Sequence, residues 1–310
     1  MSIQIILKGT LIDFLKYRAV ALVLSGVFLL ATVGLLFAKG LNFGIDFTGG
    51  ALVQIQTEQA YPVGQLRDVL KDKGLVGLTI QEYGSPQEFI VRFPLSEGSA
   101  AEAAAHEIQK ALGDELGAIT IRRVEFVGPQ IGAELREKGL MAILVSLIVI
   151  LLYISMRFEM RYGVGAVAAL CHDVLLTVGI FSLMQKEVTL PVLAALLTII
   201  GYSLNDTIVV FDRIRENRGK DRKGKFIGIL NLSLSQTLSR TIMTSITTLL
   251  VLLALFLWGG EVIHDFAFTL LFGVVVGTYS SIFIASPVLL LMEGYYQKLA
   301  MEEENENKGA

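Results

Sequence analysis

Between Gly201 and Asn217 the sequence reads GYSLNDTIVVFDRIREN, with Asn205 and Asp206 near the end of a long apolar run. Carrying a carboxylate into a bilayer helix costs on the order of 2.5–3.5 kcal/mol on insertion scales. Such a group needs a partner or a task. The partner that the sequence offers is Arg240, in SQTLSRTIMTS, at the start of the next apolar run. Asp206 lies seven residues before Arg213, where a basic loop begins, and Arg240 opens the next apolar run just past the amphipathic stretch 226–239 that follows that loop. In two antiparallel helices both charges therefore sit at comparable depth. Burial favours the neutral form of a carboxyl, and a close guanidinium favours the charged form. A carboxyl beside a cation that can approach or withdraw will release or take up a proton, the chemistry of a proton or ion relay. Two plainer readings stay open: a structural ion pair, or an Arg240 that snorkels to the interface.

Other polar groups lie around these two. Tyr202 and Ser203 precede Asp206 by four and three residues, so they share its helical face. Thr237, Arg240, Thr241, Thr244, Thr247 and Thr248 form a polar stripe that must turn toward protein or water, not lipid. His172 and Asp173 form a second polar pair and read as helix–helix hydrogen-bonding groups. Asp173 with Asp206 could suggest a two-carboxylate intramembrane protease. The GxGD pattern of such proteases is missing. Gly273, Gly277, Ser281 and Ala285 recur every four residues, a ridge that lets a second helix come close. Asp46, in GIDFTGG, reads as a turn or cap residue, and His106 as a solvated surface histidine with no second metal ligand at a useful spacing. No Walker-type phosphate loop, metal site or cofactor motif is present, and nothing in the chain reads as enzymatic.

The elements that must position these residues follow from composition and pattern. The chain has 310 residues, of which 53% are hydrophobic, a membrane composition. Six runs are long enough to cross a bilayer, at about 17–38, 139–156, 163–184, 190–211, 240–258 and 266–292. The first is preceded by Lys8, Lys16 and Arg18 and is too long for a signal-peptide core, so it reads as an uncleaved span. The single cysteine, Cys171, can form no disulfide within the chain. Lys and Arg gather before the first run, between the second and third (Arg157, Arg161), and between the fourth and fifth (Arg213 to Lys225). By the positive-inside rule both termini are cytoplasmic. The basic loop reads as a topology signal that meets anionic lipid, not nucleic acid, since no aromatic residues interleave with its charges.

The block 39–138 has a soluble composition and lies on the opposite side. Alternating residues predict strands over 51–57, 77–83, 88–93 and 118–126, and helices fit 63–73 and 100–112, with Ser96 or Ser99 as a cap for the second. This βαββαβ order is that of a ferredoxin-like α+β domain. The expected plan is therefore 1–38, a cytoplasmic start and first span; 39–138, an extracytoplasmic domain; 139–292, five further spans; and 293–310, an acidic, disordered tail.

Several stretches together resemble the SecF family of protein-export membrane proteins along nearly the whole chain. They are GIDFTGG at 44–50, VGPQIG at 127–132, HD at 172–173, the 201–217 block, QTLSRTIMTS at 236–245, GGEVI at 259–263 and GTYSSIFIASP at 277–287. The resemblance implies membership of the resistance-nodulation-division superfamily, a SecD partner, and association with the SecYEG channel and the SecA ATPase. It implies assistance to the export of unfolded secretory polypeptides across the bacterial inner membrane, driven by a proton gradient, or sodium in some members. By the same likeness Asp206 and Arg240 match the ion-coupling residues; Asn205, Ser203, Thr244, His172 and Asp173 read, from their own placement, as supporting intramembrane polar groups. A second essential carboxylate belongs to SecD, so this chain should not conduct protons alone. The rival readings are a half-transporter exporting a small molecule or lipid, and a passive membrane-anchored binding or scaffold protein. The latter needs neither Asp206 nor Arg240.

Overall fold

The computed structural model describes residues 12–75, 77–93, 101–221 and 224–309. Lys8, Arg222 and Lys223 of the basic clusters, and the candidate caps Ser96 and Ser99, lie outside these residues. After a 3-10 turn at Phe14–Tyr17, helix α1 (Arg18–Ala38) leads into the soluble block. There follow β1 (Asn42–Phe43), the single-turn α2 (Ile45–Thr48), β2 (Gly50–Thr57), α3 (Val63–Asp72), β3 (Thr79–Tyr83), β4 (Ser85–Phe93), α4 (Ala101–Leu116) and β5 (Ile119–Val127). Then come α5 (Pro129–Arg157), α6 (Met160–Met184), β6 (Glu187–Val188), α7 (Leu190–Lys220) and α8 (Phe226–Trp258). Helix α9 (Glu261–Ser280) continues through a π-helical turn, Ser281–Ala285, into α10 (Ser286–Gly309). Among the described residues, six helices or continuous helical runs are long and apolar enough to cross a membrane, which makes this a multi-pass membrane protein.

The main sheet has the order β3-β4-β2-β5, with every neighbouring pair antiparallel. Alternation in β2 explains its placement at the centre: Ala51, Val53 and Ile55 all point inward and are fully buried. Leu66 and Leu70 of α3, and Ile108 and Leu112 of α4, cover that face, and Phe89 and Val91 of β4 complete the core.

The spans overrun the limits expected from apolarity. Helix α5 begins at Pro129, not near 139, and α7 runs on to Lys220, not 211. The fifth span starts at Phe226 instead of 240, so its first turns are amphipathic. The tail expected to be disordered from 293 is helical to Gly309. Hydropathy reports which residues prefer lipid, whereas the backbone hydrogen-bond ladder persists wherever propensity and side-chain pairs favour it. Pro129 stands at an accepted helix start, Glu134 pairs with Lys138 one turn on at 2.5 Å, and the tail is rich in Glu, Lys and Met.

The soluble domain joins the bundle without a flexible linker. Strand β5 passes into α5 through Gly128 alone. Strand β1 pairs in parallel with β6, Asn42 beside Glu187 and Phe43 beside Val188, so the entry to the domain is stitched to the loop before α7. The glycines of GIDFTGG and VGPQIG meet here. Gly49, at φ +71°, would place a Cβ 2.6 Å from Pro129 Cα, and one on Gly132 would lie 2.8 Å from the Gly49 nitrogen. Only glycine permits either approach, and Gly49 also needs the left-handed backbone.

Candidate functional site

Helices α7 and α8 run antiparallel, and contacts on either side of Asp206 fix their register. The Tyr202 hydroxyl donates to the Thr244 carbonyl at 3.3 Å and lies 3.2 Å from Thr248 Oγ1. Nearer the loop between α7 and α8, Arg213 Nε donates to Gln236 Oε1 at 2.8 Å, and Asn217 Nδ2 to Ser233 Oγ and Gln236 Oε1, both at 2.9 Å. Asp206, one turn after Tyr202, therefore faces the level of the turn from Arg240 to Thr244. The expected match in depth is present.

The ion pair itself is not closed. Asp206 is 3% exposed, and its Oδ2 is buried without a hydrogen-bond partner. Arg240 lies close enough to act on it electrostatically but makes no salt bridge with it, and its side chain is exposed on the outside of the bundle. The Thr241 hydroxyl, on the buried face of α8, is also without a partner. Thr244 donates back to the Arg240 carbonyl at 3.0 Å, which satisfies it within its own helix. Asn205 points away from the buried face and is exposed. Of the expected group, the structure thus places Asp206 and Ser203 on one buried face and leaves Asn205 and Arg240 on outer faces. A buried carboxyl with an open acceptor and a cation at its level, not yet in contact, can exist in two charge states that differ by a short movement.

A second carboxylate lies deeper. Asp173 is fully buried, and its Oδ2 accepts from Ser203 of α7 at 2.6 Å and from Ser280 of α9 at 2.7 Å. His172 Nδ1 lies 2.9 Å from the other oxygen, and the imidazole stacks on Tyr279 with centroids 6.1 Å apart. Asp173 thus hydrogen-bonds to two other helices, and Ser280, which sequence reasoning passed over, is one of its anchors; His172 hydrogen-bonds only its neighbour on the same helix and keeps a buried Nε2 without a partner. Ser203 is shared: it bonds Asp173 and lies one turn before Asp206, so Asp173 sets the rotation of α7 at the Asp206 level. The small-residue ridge of α9 packs within the bundle. A Cβ on Gly273 would run into the Ile199 side chain, and one on Gly277 would lie 3.0 Å from Ser203 Cβ. The Ala285 carbonyl meets Gly165 of α6, and Ser281 donates to the Thr278 carbonyl at 3.0 Å.

A family model described as the C-terminal region of the protein export membrane proteins SecD/SecF matches residues 107–294, which include all of these groups. The chain belongs to the SecD/SecF family. A second model, the SecD/SecF GG motif, matches residues 34–60, the entry to the soluble domain. The protein translocase subunit SecF of Vibrio alginolyticus is 48% identical over 99% of this chain and 98% of its own length. That of Escherichia coli O157:H7 is 41% identical over 96% of this chain and 93% of its own. The crystal structure of SecDF, a translocon-associated membrane protein from Thermus thermophilus, superposes with a TM-score of 0.85 at 40% identity. It is matched by 95% of this chain, which spans 40% of that longer SecDF chain.

In this SecD/SecF-family chain one further cluster escaped the sequence reading. Glu293, in α10, is buried and accepts from Arg218 of α7 through both oxygens, at 3.0 and 2.8 Å, from Arg161 of α6, and from Gln297 at 3.0 Å. Three helices are tied at one carboxylate. A lone glutamate near the end of the last apolar run was the available signal, and the arginines were credited to topology alone. Glu293→Ala leaves two guanidinium groups facing an empty site. It is expected to cost on the order of 3 kcal/mol, the lower end for a broken buried pair because Arg218 stays partly exposed. Glu293→Gln should cost less. Thermal unfolding in detergent checks this, and an unchanged midpoint for the alanine variant would show that the cluster stabilises nothing.

Proposed function

We propose that this chain is an accessory subunit of the Sec protein translocase and uses a proton gradient to assist export of secretory proteins across the bacterial inner membrane. The observation that carries the reading is Asp206: a buried membrane carboxyl with an unpartnered oxygen, at the level of an exposed arginine that makes no salt bridge with it. A purely structural carboxylate would be saturated, as Asp173 is. The exposed Arg240 leaves a polar face open to a second membrane subunit, and the joining of both halves in SecDF chains supports SecD in that place. The relatives' designation as translocase subunits supports work alongside SecYEG and SecA on an unfolded polypeptide. No step in this scheme calls for enzymatic chemistry. The soluble block, with its βαββαβ order and β3-β4-β2-β5 sheet, is read as ferredoxin-like.

The test is export of a secretory precursor into inverted membrane vesicles, with and without a proton gradient, in membranes that contain the chain or lack it. Export should rise with the gradient well above the level reached by membranes without the chain. An equal response in both would remove the reading.

Orientation rests on Arg157, Arg161, Arg213, Arg215, Arg218 and Lys220, which share one end of the bundle, opposite the soluble domain. In a Cys171→Ala background, Ser85→Cys should react with an impermeant thiol reagent from outside the cell, and Lys220→Cys should not. The reverse labelling would invert the assignment of sides.

A further inference from the structure

Helix α7 carries Asp206 near its cytoplasmic end and is bonded to the soluble domain at its other end. Thr189, its N-cap residue, makes no side-chain cap. The orphan amide of Leu190 is instead taken by Asp46 of the GIDFTGG turn, whose Oδ2 accepts it at 2.8 Å across 144 residues of sequence. A carboxylate at this position is also favoured by the helix dipole. Around this bond further contacts tie the joint. Gly44 N donates to the Val188 carbonyl at 2.8 Å, Asn42 Nδ2 donates to the Gln185 carbonyl at 3.1 Å, and Arg92 of β4 pairs with Glu187. Burial holds the Glu187 carboxyl above the usual range, with Arg92 opposing that shift. From Leu190 to Asp206 is one continuous helical run of about 24 Å at 1.5 Å per residue.

We propose that Asp46 is the positioning residue through which α7 moves the extracytoplasmic domain. The inference rests on the ion-coupling reading above. When the charge at Asp206 changes and Arg240 shifts, α7 moves as a rod. Its first amide pulls on Asp46, and the sheet, which begins at Gly50 only two residues after the α2 turn, follows. Asp46 touches no ion and no substrate; it fixes one end of the lever.

The experiment measures the distance between spin labels at Glu82, on the sheet, and Trp258, at the end of α8. It uses the full chain in nanodiscs with its membrane partner and with Cys171 replaced by Ala. Asp206→Asn serves as the uncharged state. Introducing it should shift the distance distribution in the parent, and also in Asp46→Asn, which still accepts the Leu190 amide. In Asp46→Ala the shift should vanish. Leu190→Pro removes the same bond from the donor side at a position where proline is accepted, and should abolish the shift as well. A full shift in Asp46→Ala and Leu190→Pro would overturn the role of Asp46 and leave the ion-coupling reading standing. No shift in the parent would overturn it too, while gradient-dependent export in vesicles judges the coupling reading separately.

Discussion

Asp206→Asn is expected to abolish the gradient-dependent part of export and to leave the fold and the yield of assembled protein unchanged. Asparagine has the shape of aspartate but cannot titrate. In the parent, Oδ2 is buried and bonded to nothing, so the substitution breaks no hydrogen bond. It also removes a charge whose presence in a membrane helix is costly, which makes the folded chain no less stable. What it takes away is the second charge state. Arg240→Met should lose the gradient response by the complementary route. The carboxyl stays, but the cation that would favour its charged form is gone. Because Arg240 is exposed and makes no salt bridge in the isolated chain, its loss should not unfold the bundle. Asp206→Glu, which titrates on a longer arm, is expected to retain part of the response. In inverted vesicles with equal amounts of complex, the asparagine variant should export at the level of the parent without a gradient. If it responds to the gradient as the parent does, Asp206 is structural.

Gly277→Leu is expected to prevent recovery of the folded chain. Its Cβ alone would lie 3.0 and 3.1 Å from Cβ and Oγ of Ser203, and 3.5 Å from Asp173 Oδ2. The rest of a leucine side chain must then occupy the space in which the Ser203 and Ser280 hydroxyls meet Asp173. Overpacking a closed interface costs about 1–3 kcal/mol. Each hydrogen bond lost from the buried carboxylate adds roughly 1.5–3 kcal/mol. Together these approach the whole stability of an ordinary domain. Gly277→Ala needs Ser203 to yield by only a few tenths of an ångström and should fold with a lowered midpoint. Size-exclusion profiles and thermal unfolding in detergent separate the two. A leucine variant that elutes and melts like the parent would show that α9 can stand away from α7 at no cost.

The two variants probe different layers of one arrangement. Asp173, with its serines, holds α6, α7 and α9 in one rotation, and Asp206 uses the result. Glu293 of α10 fixes α6 and α7 at the end of the bundle away from the sheet, and Asp46 ties the opposite end of α7 to the soluble domain. The helix that bears the unpaired carboxyl is thereby held at both ends and along one side.

The sequence by itself determined the six crossings, since a bilayer demands about 20 apolar residues per helix and that demand is local. It determined the strand–helix order of the soluble block, since alternation and turn residues are local too. It also exposed Asp206 and Arg240, because a charge within or at the edge of an apolar run stands out wherever the helix is later packed. Only the tertiary structure decided what those charges touch. Asp173 finds Ser203 30 residues away and Ser280 107 away, and Asp46 finds Leu190 at 144. Such bonds depend on which helices become neighbours and on how each is rotated, and a turn of a few tens of degrees would exchange one partner for another. The same dependence left the pair of Asp206 and Arg240 at one level but unjoined, because packing placed the carboxyl on the buried face of α7 and the guanidinium on the outer face of α8.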